Sequence, residues 1–130
     1  MSNKAKGSNA ERELLRIFTQ HGWRAARVAG SGMHEDSPCD LIAGKIGKKG
    51  FAIEIKSSKK DRIYITKKQI EDFLLFSSMI GLKAAIAVRF NYEGWFFINP
   101  KNLESSGGNW VVSLSFCKKK GKRFGQFFSD

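Results

Sequence analysis

The sequence lacks any apolar run that approaches the ~20 residues of a membrane span, and its start, Met1 to Gly7, is polar and unlike a signal peptide. Its two cysteines, Cys39 and Cys117, lie far apart with no CxxC spacing, which excludes the usual patterns of a zinc site and of a disulfide framework. We therefore expect no membrane association and a reducing, cytoplasmic location. No repeat or linker divides the 130 residues, so a single domain with its own core is expected.

Acidic residues are also scarce. The chain has 12 Asp and Glu against 23 Lys and Arg, which gives a formal net charge of +11. An excess this large is typical of a protein with a polyanionic partner. An anionic membrane would require a basic amphipathic helix, which the sequence does not show. A basic surface that serves only solubility stays open as an alternative, but nucleic acid is the favoured partner.

Helix and strand signals follow one another as in an α/β domain. Two helices are predicted, one at about 8–21 with Ser8 or Asn9 as N-cap, and one from the Thr66–Gln69 capping box to near Gly81. The intervening segments 30–38 and 105–109 have the composition of loops. Six runs have the character of strands, and a seventh, 63–65, could extend their sheet. The six are 24–29, 39–44, 50–57, 83–90, 94–98 and 110–115.

Three charged side chains lie on two of these apolar runs. Alternation along the run 51–56 places Glu54 and Lys56 side by side on one face of a strand. Asp40 opens the preceding run. A buried charge without a partner is costly, so charges on core strands indicate pairing, a metal or catalysis. Two carboxylates and a lysine at one sheet edge would suit a hard cation with a water molecule beside it.

Another acid, Glu11, lies on the first predicted helix. It falls on the apolar stripe that Leu14, Leu15 and Phe18 form. An acid on this inward stripe is either functional or a first-turn residue favoured by the helix dipole, and the sequence leaves both open.

The order of these residues resembles that of the PD-(D/E)xK nuclease superfamily: an acid on a helix, Ser31 in a glycine loop, Asp40 opening a strand and Glu54-x-Lys56 on its neighbour. Asp followed by ExK is weak evidence alone, but the surrounding segments narrow the match to archaeal Holliday junction resolvases over roughly the first hundred residues. These segments are 6–14, 29–31, 40–43 and 53–56. Cys39 replaces the proline of the motif, a position that shapes the strand entry and does no chemistry.

The resemblance implies an α/β fold with a mixed central β-sheet flanked by helices, restriction-endonuclease-like. It implies one nuclease domain over 1–116, followed by a basic aromatic C-terminal tail over 117–130 that we expect to be loosely ordered. The implied activity is Mg²⁺-dependent endonucleolytic cleavage of four-way (branched) DNA junctions by a homodimer. Two alternatives stay open: another nuclease of this fold, such as a restriction enzyme or repair nickase, and a non-catalytic basic DNA-binding protein.

The resemblance also implies roles for single residues. Glu11, Asp40 and Glu54, with a carbonyl near residue 55, would bind Mg²⁺. Lys56 would orient the nucleophile or neutralise developing charge, and Ser31 would contact the phosphate or the attacking water. The three loop residues 34–36 could reach the metal but are expected to be solvated. Five cations are candidates for backbone phosphate contacts: Arg12, Arg27, Lys59, Lys60 and Arg62.

Two apolar features call for a partner or a place in the core. The second helix is apolar on most sides, which predicts that it is either sandwiched or shared, and we expect a homodimer contact through Phe73 and Phe76. In the tail, Phe124, Phe127 and Phe128 resemble part of the short motif that binds the sliding clamp. These rings either dock on that partner or fold back onto the core.

Overall fold

The computed structural model describes residues 3–28 and 38–129, with side chains from residue 9 onwards. In these residues, five strands form a central mixed sheet, three form a smaller antiparallel sheet, and helices flank both. None of the described helices is long and apolar enough to cross a membrane. The elements are α1 (Asn3–Gln20), β1 (Arg24–Arg27), β2 (Leu41–Gly44), β3 (Phe51–Ser58), β4 (Arg62–Thr66), α2 (Lys67–Met79), β5 (Lys83–Phe90), β6 (Gly94–Ile98), a 3₁₀ turn (Pro100–Asn102), β7 (Glu104–Ser106), β8 (Asn109–Ser113), α3 (Leu114–Lys120) and α4 (Phe124–Phe127).

The central sheet has the strand order β1-β2-β3-β5-β6. Its neighbours are antiparallel except for β3 and β5, which run parallel and are joined through β4 and α2. The predicted β2–β3 hairpin and the mixed, helix-flanked sheet are therefore confirmed. The first helix was expected to begin near Ser8, but it begins at Asn3 and runs through the expected N-cap.

The segment 63–65, a possible extension of the central sheet on sequence grounds, does not join that sheet. It lies in β4, which pairs with β8 in the small sheet of order β4-β8-β7. Its alternating Ile63 and Ile65 face the core, and Val112 of β8 packs with them. The expected loop at 105–109 is also shorter, because β7 occupies Glu104–Ser106 and pairs with β8. An alternating pattern identifies a strand, but it does not say which sheet the strand joins.

Both faces of the central sheet are buried. On one face, α2 and the small sheet pack over Ala52, Ile86 and Val88. On the other face, α1 packs over Ile53 and Ala85. A sheet covered on both faces explains why its middle strands read as nearly continuous apolar runs.

The helix α2 begins with the predicted capping box. The N–H of Gln69 donates to Thr66 Oγ1 at 3.1 Å, and the Gln69 side chain accepts from the Thr66 N–H at 3.3 Å. The assignment of Phe73 to a dimer contact is wrong, because its side chain is 1% exposed and packs within the chain's own core. Phe76 is half-buried against the same core. The exposed apolar residues of this segment are Leu74, Leu75, Met79 and Ile80.

The C-terminal segment is ordered, which corrects the expectation of a loose tail. Phe128 packs against Phe18, Trp23, Phe51 and Phe97, with ring centroids 4.9–5.4 Å apart. A β-bridge joins the outer strand of the central sheet to the segment between α3 and α4. Aromatic packing of this kind stabilises a core, so the tail folds back onto the sheet.

Candidate active site

Asp40 lies where β2 begins, and the structure holds it from three directions. Its N–H donates to the Ile53 carbonyl at 3.0 Å, and its own carbonyl accepts from the Val28 N–H at 3.0 Å. Its Oδ2 accepts the Ile55 N–H at 2.8 Å. Leu41 pairs with Ile53 in the antiparallel β2–β3 hairpin, and the same register places residue 40 opposite Glu54. The first two predicted carboxylates therefore meet across the β2–β3 hairpin.

Glu54 and Lys56 project from the same side of β3, as their spacing predicted. Glu54 Oε2 lies 3.7 Å from Lys56 Nζ, and the two side chains are 17% and 25% exposed. Such limited exposure weakens the screening of charge by solvent. A carboxylate and an ammonium group thus share a partly desolvated place beside Asp40.

When ionised, the carboxyl groups of this site repel one another. Burial, the Asp40 charge and a hydrogen bond between the two carboxyls together raise the pKa of Glu54 from its ordinary 4.5 to about 8, against the attraction of Lys56. Burial and the Asp40 charge also raise the pKa of Glu11, against the attraction of Arg27. These shifts show that the site requires protons or a cation to balance its negative charge.

Glu11 is buried on α1 and reaches the same region. Its Oε1 lies 2.5 Å from Nε of Arg27, so the two form an ion pair. The electrostatic influence of Asp40 on Glu11 places the two acids within range of each other. Arg27, predicted as a phosphate contact, thus lies at the active site and binds one of its acids.

The donor set fits a hard divalent cation by its chemistry, since carboxylate oxygens are the ligands that such ions prefer. Within residues 3–28 and 38–129, however, no three His, Cys, Asp or Glu side chains converge closely enough to enclose an ion. Asp40 and Glu54 are together, whereas Glu11 is turned onto Arg27. The structure therefore brings together two of the three predicted ligands and places the third nearby.

The other predicted residues lie around this centre or outside the described ranges. Arg12 is exposed on α1 and donates to Asn9 Oδ1 at 3.2 Å. Lys59, Lys60 and Arg62 are exposed where β3 passes into β4. Ser31 and the loop residues 34–36 lie outside the described residues.

Sequence reasoning missed a polar hollow beside the site, which we call the β5 hollow. It has a volume of about 280 Å³, and Glu13 on α1 and Arg89 on β5 are among its lining residues. Glu13 Oε1 accepts from Arg89 Nε at 3.0 Å and from Trp95 Nε1 at 2.6 Å. The charge of Arg89 on the otherwise buried strand β5 was the signal in the sequence that could have revealed this hollow. The hollow is lined by Asn9, Ala10, Glu13, Ser57, Ser58, Lys59, Arg89 and Asn91.

Comparison with known proteins agrees with this geometry. A profile of the archaeal Holliday junction resolvase (Hjc) family matches residues 2–127. The crossover junction endodeoxyribonuclease Hjc of Methanocaldococcus jannaschii is 41% identical over 107 residues, covering 82% of this chain and 75% of that protein. The Archaeoglobus fulgidus protein of the same name is 31% identical over 135 residues and 98% of both chains.

The crystal structure of A. fulgidus Hjc, described as a Holliday junction resolvase from an archaeal hyperthermophile, superimposes with a TM-score of 0.84. The superposition covers 96% of this chain and 97% of that one at 28% identity. This match confirms the predicted fold class. With its acids and lysine at the expected strand positions, the chain belongs to the archaeal Holliday junction resolvase (Hjc) family.

Proposed function

We propose that this chain is an endonuclease that resolves four-way DNA junctions by Mg²⁺-dependent hydrolysis of phosphodiester bonds. The observation that carries the proposal is the juxtaposition of Asp40, Glu54 and Lys56 on β2 and β3, at a place where burial and mutual repulsion raise the pKa of Glu54. Family membership and the net charge of +11 support branched DNA as the substrate.

Asp40 and Glu54 are the first ligands we assign to Mg²⁺, with Glu11 as a third once it leaves Arg27 and the Ile55 carbonyl as a further donor. When bound, the metal polarises the scissile phosphate and lowers the pKa of the attacking water. Lys56, whose Nζ lies 3.7 Å from Glu54 Oε2, would neutralise the charge that develops on the phosphate. Ser31 is proposed to hydrogen-bond the phosphate or the water.

Exposed cations around the centre hold the DNA backbone in place. Arg12 is exposed on α1, and the other cations are exposed where β3 passes into β4. Contacts of this type fix the position of the DNA without reading its sequence. Arg27 has a second role, because release from Glu11 on metal binding would free its guanidinium for a phosphate. The proposed phosphate contacts are Arg12, Arg27, Lys59, Lys60 and Arg62.

Resolution of a junction requires two cuts, so we propose a homodimer with two sites related by a two-fold axis. Leu74, Leu75, Met79 and Ile80 support this proposal, since they are 40–77% exposed and apolar. A patch of this kind on α2 and the residue after it is typical of a contact surface. The contact is therefore assigned to the outer side of α2 instead of Phe73.

The structure offers less support for the sliding clamp as a partner. Phe124 and Phe128, which a clamp would have to bind, are 9% and 6% exposed within the chain's own core. Releasing them would expose a large apolar area to water. Clamp binding through this motif would require the tail to detach, and we do not favour it. A cytoplasmic location accompanies the proposed function, because the DNA substrate lies there.

The proposal is tested with a labelled synthetic four-way junction and a linear duplex of the same sequence, each with Mg²⁺ or with EDTA. We expect cleavage of the junction alone, and only with Mg²⁺. Asp40→Asn should bind the junction as well as the wild type but fail to cut it, because removing a negative charge cannot weaken attraction to phosphates. The matched control, Asp72→Asn, changes an exposed acid on α2 that pairs with Lys68.

The other outcomes decide between the alternatives. Equal cleavage of duplex and junction would indicate a nuclease of the same fold with another substrate. Tight junction binding with no cleavage in any divalent metal would indicate a non-catalytic DNA-binding protein. Cleavage by Asp40→Asn within tenfold of the wild type would overturn the metal-site assignment.

A further inference from the structure

The hairpin between β5 and β6 carries an exposed aromatic ring at its tip. Tyr92 is 97% exposed and has a φ of +66°. A bulky residue in this left-handed region is a conformational outlier, and such residues cluster at functional sites. A ring that is 97% exposed packs little against the core of the chain, which favours a role in binding.

The tip is held in place on both sides of Tyr92. The Glu93 N–H donates to the Phe90 carbonyl at 3.0 Å, and the Asn91 N–H donates to the Ser58 carbonyl at 3.1 Å. The Glu93 carboxylate pairs with Lys118 Nζ at 2.7 Å. The ring is thus presented on a backbone that is already fixed, so little conformational entropy remains to be lost on binding.

The tip lies at the end of the sheet towards which the catalytic strand runs. β3 and β5 are parallel, with Lys56 beside Val88 and Ser58 beside Phe90. Phe90, the last residue of β5, therefore lies two residues further along than Lys56, about 7 Å at the rise of a strand, and Tyr92 follows in the turn after it. A distance of about 7 Å corresponds to about two nucleotides of a DNA strand. A strand cut at the metal site could reach the tip within a few nucleotides.

The β5 hollow adjoins the tip through Asn91 and Arg89. Glu13, the one acid among its described lining residues, already accepts from Arg89 and Trp95, which fixes the Arg89 side chain. The remaining polar groups are two cations, two hydroxyls and two amides from Lys59, Arg89, Ser57, Ser58, Asn9 and Asn91. Donors of this kind suit a phosphate of the DNA backbone.

We propose that Tyr92 and the β5 hollow form a nucleotide-binding subsite, in which the ring stacks on a base exposed at the branch point and the hollow binds a phosphate of the same strand. The proposal rests on the proposed function, since it concerns how that substrate is chosen. Stacking accepts any base, because every base has a π-face. A perfect duplex offers no exposed base, so the subsite selects branched over linear DNA without reading sequence.

The stacking half is tested with Tyr92→Gly, Tyr92→Phe and the control Ile46→Gly, an equally exposed residue in the turn at the opposite end of β3. Glycine suits φ of +66°, so Tyr92→Gly should melt no lower than the wild type. It should bind the junction about 5- to 150-fold more weakly, which corresponds to the stacking of one base, with duplex binding unchanged. Tyr92→Phe keeps the ring and should bind as the wild type does.

A junction with 2-aminopurine at the branch point gives a readout that a structural role would not change. Wild type and Tyr92→Phe should quench the probe on binding, whereas Tyr92→Gly should not. If Tyr92→Gly binds the junction within twofold of the wild type and still quenches the probe, the inference is overturned. Failure of this inference would leave the wild type able to cut junctions. Failure of the proposed function would instead leave the wild type unable to cut them.

The phosphate half is tested with Arg89→Gln. The salt dependence of junction binding should become shallower, by about one in the slope of log K against log salt, as expected for one lost phosphate contact. Ser57→Ala, which removes a neutral donor from the same hollow, should leave the slope unchanged. A slope for Arg89→Gln equal to that of the wild type would remove the hollow from the subsite.

Discussion

Glu54→Gln should stabilise the metal-free protein at pH 8 while abolishing cleavage. A carboxyl whose pKa is higher in the folded chain than in the unfolded chain binds its proton more tightly when folded. Its stabilising contribution is complete below about pH 4.5 and is lost as the pH rises to about 8, the pKa of folded Glu54. The wild type without metal should therefore become less stable across this range. Glutamine carries no charge at any of these pH values and avoids the loss.

The size of the effect follows from the difference between the two pKa values. At 1.36 kcal/mol per unit, the rise from 4.5 to about 8 sets a ceiling of about 5 kcal/mol. Structural relaxation and water entry around a partly exposed side chain reduce such costs, so we expect about 1–3 kcal/mol at pH 8. For a chain of this length, each kcal/mol raises Tm by about 4 °C.

The assay is thermal or urea unfolding in EDTA at pH 5, 6, 7 and 8, for wild type, Glu54→Gln and the control Glu71→Gln on the exposed side of α2. The gap between Glu54→Gln and the wild type should widen as the pH rises, while the control should follow the wild type. Mg²⁺ should raise the Tm of the wild type at pH 8 and have a smaller effect on Glu54→Gln, because a ligand stabilises only the fold that binds it. A gap that is constant with pH would refute the electrostatic account of the site.

Two further predictions concern the C-terminal aromatic cluster and the outer side of α2. Phe128→Ala should destabilise the protein by about 3–5 kcal/mol, the usual cost of emptying an aromatic core position. The control Ser129→Ala should leave stability unchanged. If Phe128→Ala unfolds like the wild type, the ring does not belong to the core and is again a candidate for clamp binding. Leu75→Glu with Met79→Glu should convert a dimer to a monomer in light scattering at micromolar concentration without lowering the monomer's stability, since these side chains are 62% and 77% exposed. A wild type that is already monomeric would contradict the proposed α2 contact.

The centre of the site could be predicted from sequence because local rules determine it. Alternation along β3 fixes the side to which Glu54 and Lys56 point, and a hairpin fixes which residue of β2 lies opposite. The presence of charged residues on an otherwise apolar run then indicates where the chemistry of the site takes place. The same reasoning applied to Val88-Arg89 would have found the β5 hollow, since Arg89 interrupts a buried strand in the same way.

The sequence was less informative about which distant element each strand or helix packs against. Ile63 and Ile65 predicted a strand correctly, but the choice between sheets depends on β8, which lies almost fifty residues later. Phe73 and Phe76 share one helix, and only tertiary packing makes the first a core residue and leaves the second half-buried. A helix that is apolar all round shows that it has more than one neighbour, but the sequence does not say which side faces each neighbour.

The packing of the C-terminal tail shows that stabilising contacts and functional residues occupy different parts of the single strand β3. At the start of β3, Phe51 lies within 6 Å of Phe127 and Phe128, in a cluster that also includes rings from α1, β6 and the segment between α1 and β1. At its other end, Ser57 and Ser58 line the polar hollow. The charged pair lies between these ends. The aromatic cluster thus anchors β3 at the end opposite the polar hollow, so loss of a tail ring should lower Tm without changing the pH dependence of the site at Glu54.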